Sequence, residues 1–260
     1  MSNNISVVII CKNEEHNIRK CLESVKWADE IVVFDTGSTD TTLNICAEYT
    51  RTIYTENDWE GFGKAKHDAV NLAKHDWIFS IDADEEVSES LREKILNMKD
   101  SLSKETAYRI KRNSFYMGKM IRFSGWQRDY TLRLFNRQYG NFNLKTVHES
   151  VETKARILKL KEAIYHYTYP CVKTHINKMV YYSELGAGSL EHKGKRVCIG
   201  TACIRGFFKF IKMYVFRLGF LDGKVGFILA INSGFGVYLK YVYLWEKYHR
   251  FHTKNTKIDH

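Results

Sequence analysis

The sequence predicts an α/β fold: a mainly parallel central sheet flanked by helices, followed by a helical, basic and aromatic C-terminal appendage. Three observations carry that expectation. Apolar, strand-like runs alternate with helical patterns from Ile5 to Ile81, polar and acidic clusters follow the ends of those runs, and the texture changes near Cys198. Short alternating units imply right-handed β-α-β crossovers, with ligands bound beyond the carboxyl ends of the strands.

The run Ile5-Ser6-Val7-Val8-Ile9-Ile10-Cys11 is β-branched and nearly continuous in apolar residues, as suits a central strand buried on both faces. Asn13 is a candidate cap for a helix in which Ile18, Cys21, Leu22 and Val25 recur at helical spacing. Ile31-Val32-Val33-Phe34 repeats the strand signal, and Asp35-Thr36-Gly37-Ser38-Thr39-Asp40 leads into a second helix carrying Leu43 and Ala47. Ile53-Tyr54, a polar and aromatic loop over residues 56–62, a third helix from about Lys64, and Trp77-Ile78-Phe79-Ser80-Ile81 complete β-α-β-α-β-α-β. Beyond residue 87 the pattern is mixed, with a helix bearing Leu91, Ile95 and Met98, then strand-like alternation over 106–111 and 130–135. Folding of this kind gathers Asn13-Glu14, Asp35, Asp82 and Asp84 on one edge of the sheet.

With 44% hydrophobic and 27% charged residues, and few Gly and Pro, the chain is globular rather than disordered or collagen-like. The net charge of +10 is local: residues 193–260 hold thirteen Lys or Arg against three acids, which leaves 1–192 formally neutral. A basic segment mixed with aromatics suits phosphate-bearing partners, either anionic lipid or nucleic acid. The six cysteines form no CxxC pair and no zinc-spaced cluster, so reduced thiols are expected. The first apolar run is short and ends in charges, which fits a strand rather than a signal peptide and points to the cytoplasm.

Asp82-x-Asp84 directly after a buried strand places two carboxylates together, a costly arrangement unless a divalent cation neutralises them. The bland alternative is a solvated turn capping the next helix. Asp35 could accept hydrogen bonds from a base or ribose, or serve its own turn. His148-Glu149 could be a surface ion pair or contain a general base, and His166 among tyrosines could be packed or ligate a metal.

The stretch around Lys12-Asn13-Glu14-Glu15, the Asp35-Thr36-Gly37-Ser38-Thr39-Asp40 turn and the Asp82-Ala83-Asp84-Glu85-Glu86 run resemble family 2 glycosyltransferases of the GT-A fold. A narrower resemblance, to lipopolysaccharide core β-1,4-glucosyltransferases that add glucose to inner-core heptose, rests on five further stretches. These are Gly61-Phe62-Gly63-Lys64-Ala65-Lys66, Phe123-Ser124-Gly125-Trp126, Arg133-Leu134-Phe135, Val147-His148-Glu149 and Arg217-Leu218-Gly219-Phe220-Leu221-Asp222-Gly223. The common family pattern has a second Asp where this chain has Thr36.

The resemblance implies an inverting hexosyltransferase taking glucose from UDP-glucose, with Mn²⁺ or Mg²⁺ as cofactor and a lipid-linked, heptose-containing acceptor. It implies a GT-A domain over 1–197, with 1–87 as the nucleotide-binding half and 88–197 as the acceptor half, then an appendage over 198–260. Cys11, Asn13, Glu14, Asp35, Lys66, Asp82 and Ala83 would bind the nucleotide sugar, and Asp84 with His166 would hold the metal. Glu149 would be the base with Asp129 as second choice, and Trp126, Arg128 and His148 would meet the acceptor. Another donor sugar or a protein acceptor is the alternative within enzymes. A basic nucleic-acid-binding module is the rival class, and it leaves the acidic edge unexplained.

The appendage is expected to dock on the cytoplasmic face of the inner membrane without crossing it, the alternative being that its aromatics pack against the catalytic domain as a helical lid. Arg205, Lys209 and Lys212 recur at helical spacing among Phe207, Phe208, Phe210, Tyr214 and Phe216. The uncharged run 225–239 contains Asn232, Ser233 and three glycines and is shorter than the roughly 20 apolar residues of a spanning helix.

Overall fold

The structure, a computed structural model, describes residues 3–145 and 149–249. In chain order the elements begin β1 (Ile5–Cys11), α1 (Ile18–Ser24), β2 (Glu30–Asp35), α2 (Thr42–Ala47), β3 (Ile53–Thr55), α3 (Phe62–Leu72) and β4 (Trp77–Asp82). They continue with β5 (Glu85–Val87), α4 (Glu89–Met98), β6 (Thr106–Tyr116), β7 (Lys119–Met120), β8 (Tyr130–Asn136), β9 (Gly140–Phe142), β10 (Val151–Thr153) and β11 (Arg156–Tyr169). The helices α5 (Val172–His192), α6 (Ile199–Ile211) and α7 (Gly223–His249) close the chain. It separates into two compact units, Met1–Phe115 with Arg128–Thr168, and Tyr116–Gln127 with Tyr169–His260.

The first unit is a mixed α/β domain whose sheet runs β3-β2-β1-β4-β8-β6-β11-β5. Strands β3, β2, β1 and β4 are parallel, as the alternation of runs predicts, whereas β4 with β8, β8 with β6 and β11 with β5 are antiparallel. Burial on both faces explains the continuous apolar strands. Val7 and Ile9 of β1 pack with Ile18, Cys21, Leu22, Leu91 and Ile95, while Val8 packs with Val32, Phe34, Ala65, Ala69 and Val70 on the other face. The side-chain hydroxyl of Ser88 accepts the Leu91 N–H and starts α4, a cap whose removal costs about 1 kcal/mol.

Asn13 is not a helix cap. Its backbone takes the left-handed conformation, φ 54°, which Asn tolerates. Its side-chain Oδ1 accepts the Thr39 N–H at 2.7 Å, and Ser38 Oγ accepts the Asn13 N–H at 2.9 Å, so the loops after β1 and β2 are tied to each other.

In the second unit, the motif at 123–126 and the motif at 217–223 meet. Asp222 is buried, and its carboxylate accepts the N–H groups of Arg122 and Phe123, both at 3.0 Å, and the Ser124 hydroxyl at 3.3 Å. This pairing across about a hundred residues, with α5 contacting α7, is why the second unit starts earlier than residue 198 and takes in a distant segment.

The glycines counted against a long apolar helix are packing sites. A Cβ at Gly206 would stand 3.0 Å from the Gly234 carbonyl oxygen, and one at Gly236 would stand 2.7 Å from Met179 Cγ, so α6 and α5 approach α7 closely there. Asn232 is also used internally: it donates to the Tyr116 hydroxyl at 3.2 Å, and that hydroxyl lies 2.8 Å from His175 Nδ1. The segment Gly219–His249 is long and apolar enough, by length and composition, to cross a membrane, so the length argument against crossing does not hold.

Candidate active site

In the acidic run after β4, Asp82 and Glu85 share Arg133, while Asp84 and Glu86 turn to other partners. Asp82 Oδ1 lies 2.9 Å from Lys66 Nζ, and Oδ2 lies 2.6 Å from an Arg133 guanidinium nitrogen. Glu85 is buried; Oε1 meets Arg133 at 2.6 Å and Arg112 at 3.4 Å, while Oε2 accepts the Asp82 N–H at 3.0 Å. Glu86 accepts the Tyr167 hydroxyl at 2.6 Å. Asp84 faces His166, with Oδ2 and Nε2 3.3 Å apart.

These pairs belong to a longer chain of alternating charge. Asp129 is held by Arg112 at 2.6 Å, Arg112 by Glu85, Glu85 by Arg133, Arg133 by Asp82, Asp82 by Lys66, and Lys66 by Glu149 at 2.9 Å. Both candidate bases and Asp82 therefore sit in one network. Its four acids and three bases leave one formal negative charge, before Asp84 is counted.

The network corrects the expectation that Asp82 and Asp84 jointly need a metal: Asp82 is already neutralised by two cations. Burial opposes its charge, but Arg133 and Lys66 hold the carboxyl well below its usual range. Lys66 is no solvated helix charge either. Lys66 is 7% exposed; burial works against its ammonium, while Asp82 and Glu149 hold its pKa above the ordinary value. Arg133 is likewise buried, with Asp82 and Glu85 outweighing the penalty of burial.

Backbone geometry explains how α3 brings Lys66 there. At Gly63 an added Cβ would stand 2.4 Å from the carbonyl oxygens of Asn143 and Lys145, and the Gly63 N–H donates to the latter. Only a residue without a side chain lets the loop ahead of Glu149 lie against the first turn of α3.

Asp84 and His166 fit half of a cation site. His166 stands opposite Glu85 in the β11–β5 pairing. Its Nδ1 lies 3.0 Å from Thr168 Oγ1 and 3.4 Å from Ser114 Oγ, contacts that orient the ring with Nε2 toward Asp84. Among the described residues no group of three or more His, Cys, Asp or Glu side chains is set to hold a metal. A carboxylate and an imidazole suit a divalent ion that takes its remaining ligands from phosphate oxygens and water.

The other expected residues have mixed placements. Asp35 is buried, and both oxygens serve its own turn and strand: Oδ2 accepts the N–H groups of Gly37 at 3.0 Å and Ser38 at 2.9 Å, while Oδ1 takes the Ser38 hydroxyl and lies 3.6 Å from Cys11 Sγ. A carboxylate has about four acceptor sites, and these contacts use them, so in this conformation Asp35 is structural rather than open to a ribose. A hydrogen bond with Cys46 and burial push the Cys11 thiol up, which keeps it a protonated donor. Ala83 is buried and offers only backbone. Glu14 Oε2 accepts from Asn17, and its N–H is held by Thr42 Oγ1 at 2.8 Å. Trp126 belongs to the second unit, edge-on to Tyr116, whereas Arg128 belongs to the first. His148 lies outside the described residues.

Arg112, Arg133 and Glu85 are the site residues that sequence reasoning passed over. One signal was available: an Arg between Leu132 and Leu134 in a strand has to meet a carboxylate if it is buried.

Residues 6–153 match the family Glycosyl transferase family 2. An uncharacterized glycosyltransferase of Rickettsia bellii is 32% identical over 95% of this chain and 87% of its own length, and another from Rickettsia typhi is 30% identical over 93% and 87%. The lipopolysaccharide core biosynthesis glycosyltransferase LpsC of Rhizobium meliloti is 28% identical over 94% of this chain and 93% of its own. A crystal structure of S. aureus TarS residues 1–349 is similar with a TM-score of 0.44 and 15% identity, covering 95% of this chain and 91% of that one. The match spans more than half of the 260 residues and the relatives extend over nearly all of them, so this chain is a glycosyltransferase belonging to family 2.

Proposed function

We propose that the enzyme transfers glucose from UDP-glucose onto an inner-core heptose of lipopolysaccharide or lipooligosaccharide, with inversion at the anomeric carbon. The charge network from Asp129 to Glu149 carries the chemical part of this reading. It sets two candidate bases and the donor-side Asp82 on the edge where a parallel α/β sheet binds nucleotides. The acceptor rests on the likeness to LpsC and on the motifs shared with core glucosyltransferases.

In the displacement, the acceptor hydroxyl oxygen attacks the anomeric carbon from the face opposite the diphosphate. Glu149 takes the hydroxyl proton, the new carbon–oxygen bond forms, and the bond to the phosphate oxygen breaks with its electron pair leaving on UDP. Among the described residues only Oε1 of Glu149 has a polar partner, Lys66, which leaves Oε2 for the acceptor. Lys66 is positioned to exchange a carboxylate for a diphosphate oxygen. A divalent cation held by Asp84 and His166 would offset charge on the leaving diphosphate.

The second unit docks this enzyme on the cytoplasmic face of the inner membrane without sending α7 across it. Exposed Ile204, Phe207 and Phe208 on α6 support the docking. The contacts of α7 with α5 and α6 favour its staying with them, since crossing alone would strip it from both.

The test is UDP release and product analysis with UDP-glucose, other UDP- and GDP-sugars, heptose-containing core acceptors and a protein acceptor. Glucose attached to heptose with inverted configuration is expected. Turnover with another donor, or on protein only, would overturn the glucose-to-heptose assignment while leaving the family intact.

A further inference from the structure

An open groove of about 430 Å³ runs between α6 and α7, lined by Arg205, Phe208, Lys209, Lys212, Lys240 and Tyr241 with Val237. Its α6 wall is a stripe at helical spacing, and its α7 wall follows one turn beyond the close crossing at Gly206 and Gly234. Four cations converge here, and among the described residues none has a carboxylate within ion-pair distance. Elsewhere in the protein the buried cations Lys66 and Arg133 are each held by two carboxylates.

Lys209 and Lys240 are half-buried, whereas Arg205 and Lys212 are exposed beside them. A Cβ at Gly186 of α5 would stand 2.8 Å from Lys240 Cδ, so the missing side chain makes room for the lysine stem. Its ammonium lies 5.1 Å from the Tyr241 ring centre, and the Arg205 guanidinium lies 5.0 Å from that same ring. Burial, together with Lys212 and Lys240, depresses the Lys209 ammonium pKa, which describes a cation short of counter-charge. Exposed Phe207 and Phe216 on the same helical segment, 61% and 76% accessible, add apolar groups beside the charge. That combination fits a lipid interface better than a nucleic-acid strand.

We propose that this groove is a binding site for the phosphate headgroup of an anionic phospholipid, seated by Lys209 and Lys240 with Arg205 and Lys212 at its rim. The proposal rests on the membrane docking described above and makes it selective for anionic lipid.

The experiment is co-sedimentation of the full-length protein with vesicles of phosphatidylcholine alone and with added phosphatidylglycerol. It compares wild type, Lys209→Gln/Lys240→Gln, and the equally charged control Lys193→Gln/Lys195→Gln from the exposed loop before α6, with circular dichroism to confirm folding. Loss of one charge close to an anionic surface lowers affinity by about fivefold, and less with distance from it. The groove pair is expected to lose at least ten times more affinity for phosphatidylglycerol vesicles than the control pair. Competition by inorganic phosphate without vesicle selectivity would assign the groove to a soluble anion and overturn the lipid assignment. Displacement from vesicles by a single-stranded oligonucleotide at lower concentration than lipid would overturn it in favour of nucleic acid. Equal losses in the two pairs would overturn the site while leaving docking in place, whereas no vesicle binding by wild type would remove docking itself.

Discussion

Lys66 Nζ stands 2.9 Å from Glu149 Oε1, joining the first turns of α3 to a carboxylate 83 positions along the chain. The contact gives Glu149 a fixed orientation and a neighbour whose partner can change. Glu149→Gln is therefore expected to keep donor binding and to lose transfer by about 10²–10⁴-fold, the usual contribution of a general base. Asp129, gripped by Arg112, is expected to matter chiefly for structure. UDP-sugar binding and single-turnover transfer measured for Glu149→Gln and Asp129→Asn check this; the reverse ranking would move the base to Asp129.

Removing divalent ions with EDTA should abolish UDP release, and Mn²⁺ or Mg²⁺ should restore it. In Asp84→Asn the restoration should fail or need far more metal, because one of the two proposed protein ligands is lost. Thr168→Val, which removes the hydroxyl at His166 Nδ1, should raise the metal concentration for half-maximal activity by about tenfold or more. Metal titrations of UDP release decide the matter, and wild-type behaviour of a folded Asp84→Asn would refute the assignment.

Arg133 supports two carboxylates from a buried position, so Arg133→Met would strand negative charge at Asp82 and Glu85. Breaking a buried pair in this way costs about 3–5 kcal/mol. Because Arg112 also reaches Glu85, the lower end of that range is expected, with Arg133→Lys losing less. Urea midpoints at constant slope provide the measurement.

His175 predicts a pH dependence. Burial lowers its pKa from the ordinary 6.5, favouring the neutral ring, and the Tyr116 hydroxyl lies 2.8 Å from its Nδ1. The unfolded chain then binds more protons than the folded one below 6.5, so stability is full above that value and falls as the pH drops toward the depressed folded value. Thermal melts from about pH 8 to pH 5 should show this decline in wild type and a shallower one in His175→Gln. Parallel curves would show that His175 is not responsible.

Much of the first unit was legible because local pattern and final burial agree. The continuous apolar run of β1 reports two buried faces, and Leu91 and Ile95 at helical spacing report the face of α4 that packs beneath the sheet. Asp84 and His166 were separately nameable, and β5 beside β11 brings them together. What could not be read locally was partnership across distance. Neither Arg133 nor Arg112 carries a sign of which carboxylate it meets, and nothing near Asp222 announces that it holds the backbone of Arg122 and Phe123. The glycines of α7 misled for a related reason: a helix-weakening residue in isolation becomes a contact point once Gly206 and Met179 lie against it.

The stitching of Asn13 to Thr39 and Ser38 bears on how such an enzyme can be re-engineered. With Glu14 held by Thr42 and Glu15 by Asp40 and Thr41, the loops after β1 and β2 behave as one plate rather than two independent strips. A loop transplanted alone from a relative would leave its neighbour's N–H groups and hydroxyls facing mismatched partners. Any redesign of this edge therefore has to move residues 12–15 and 35–42 as a matched pair, because each loop supplies the other's hydrogen-bond partners.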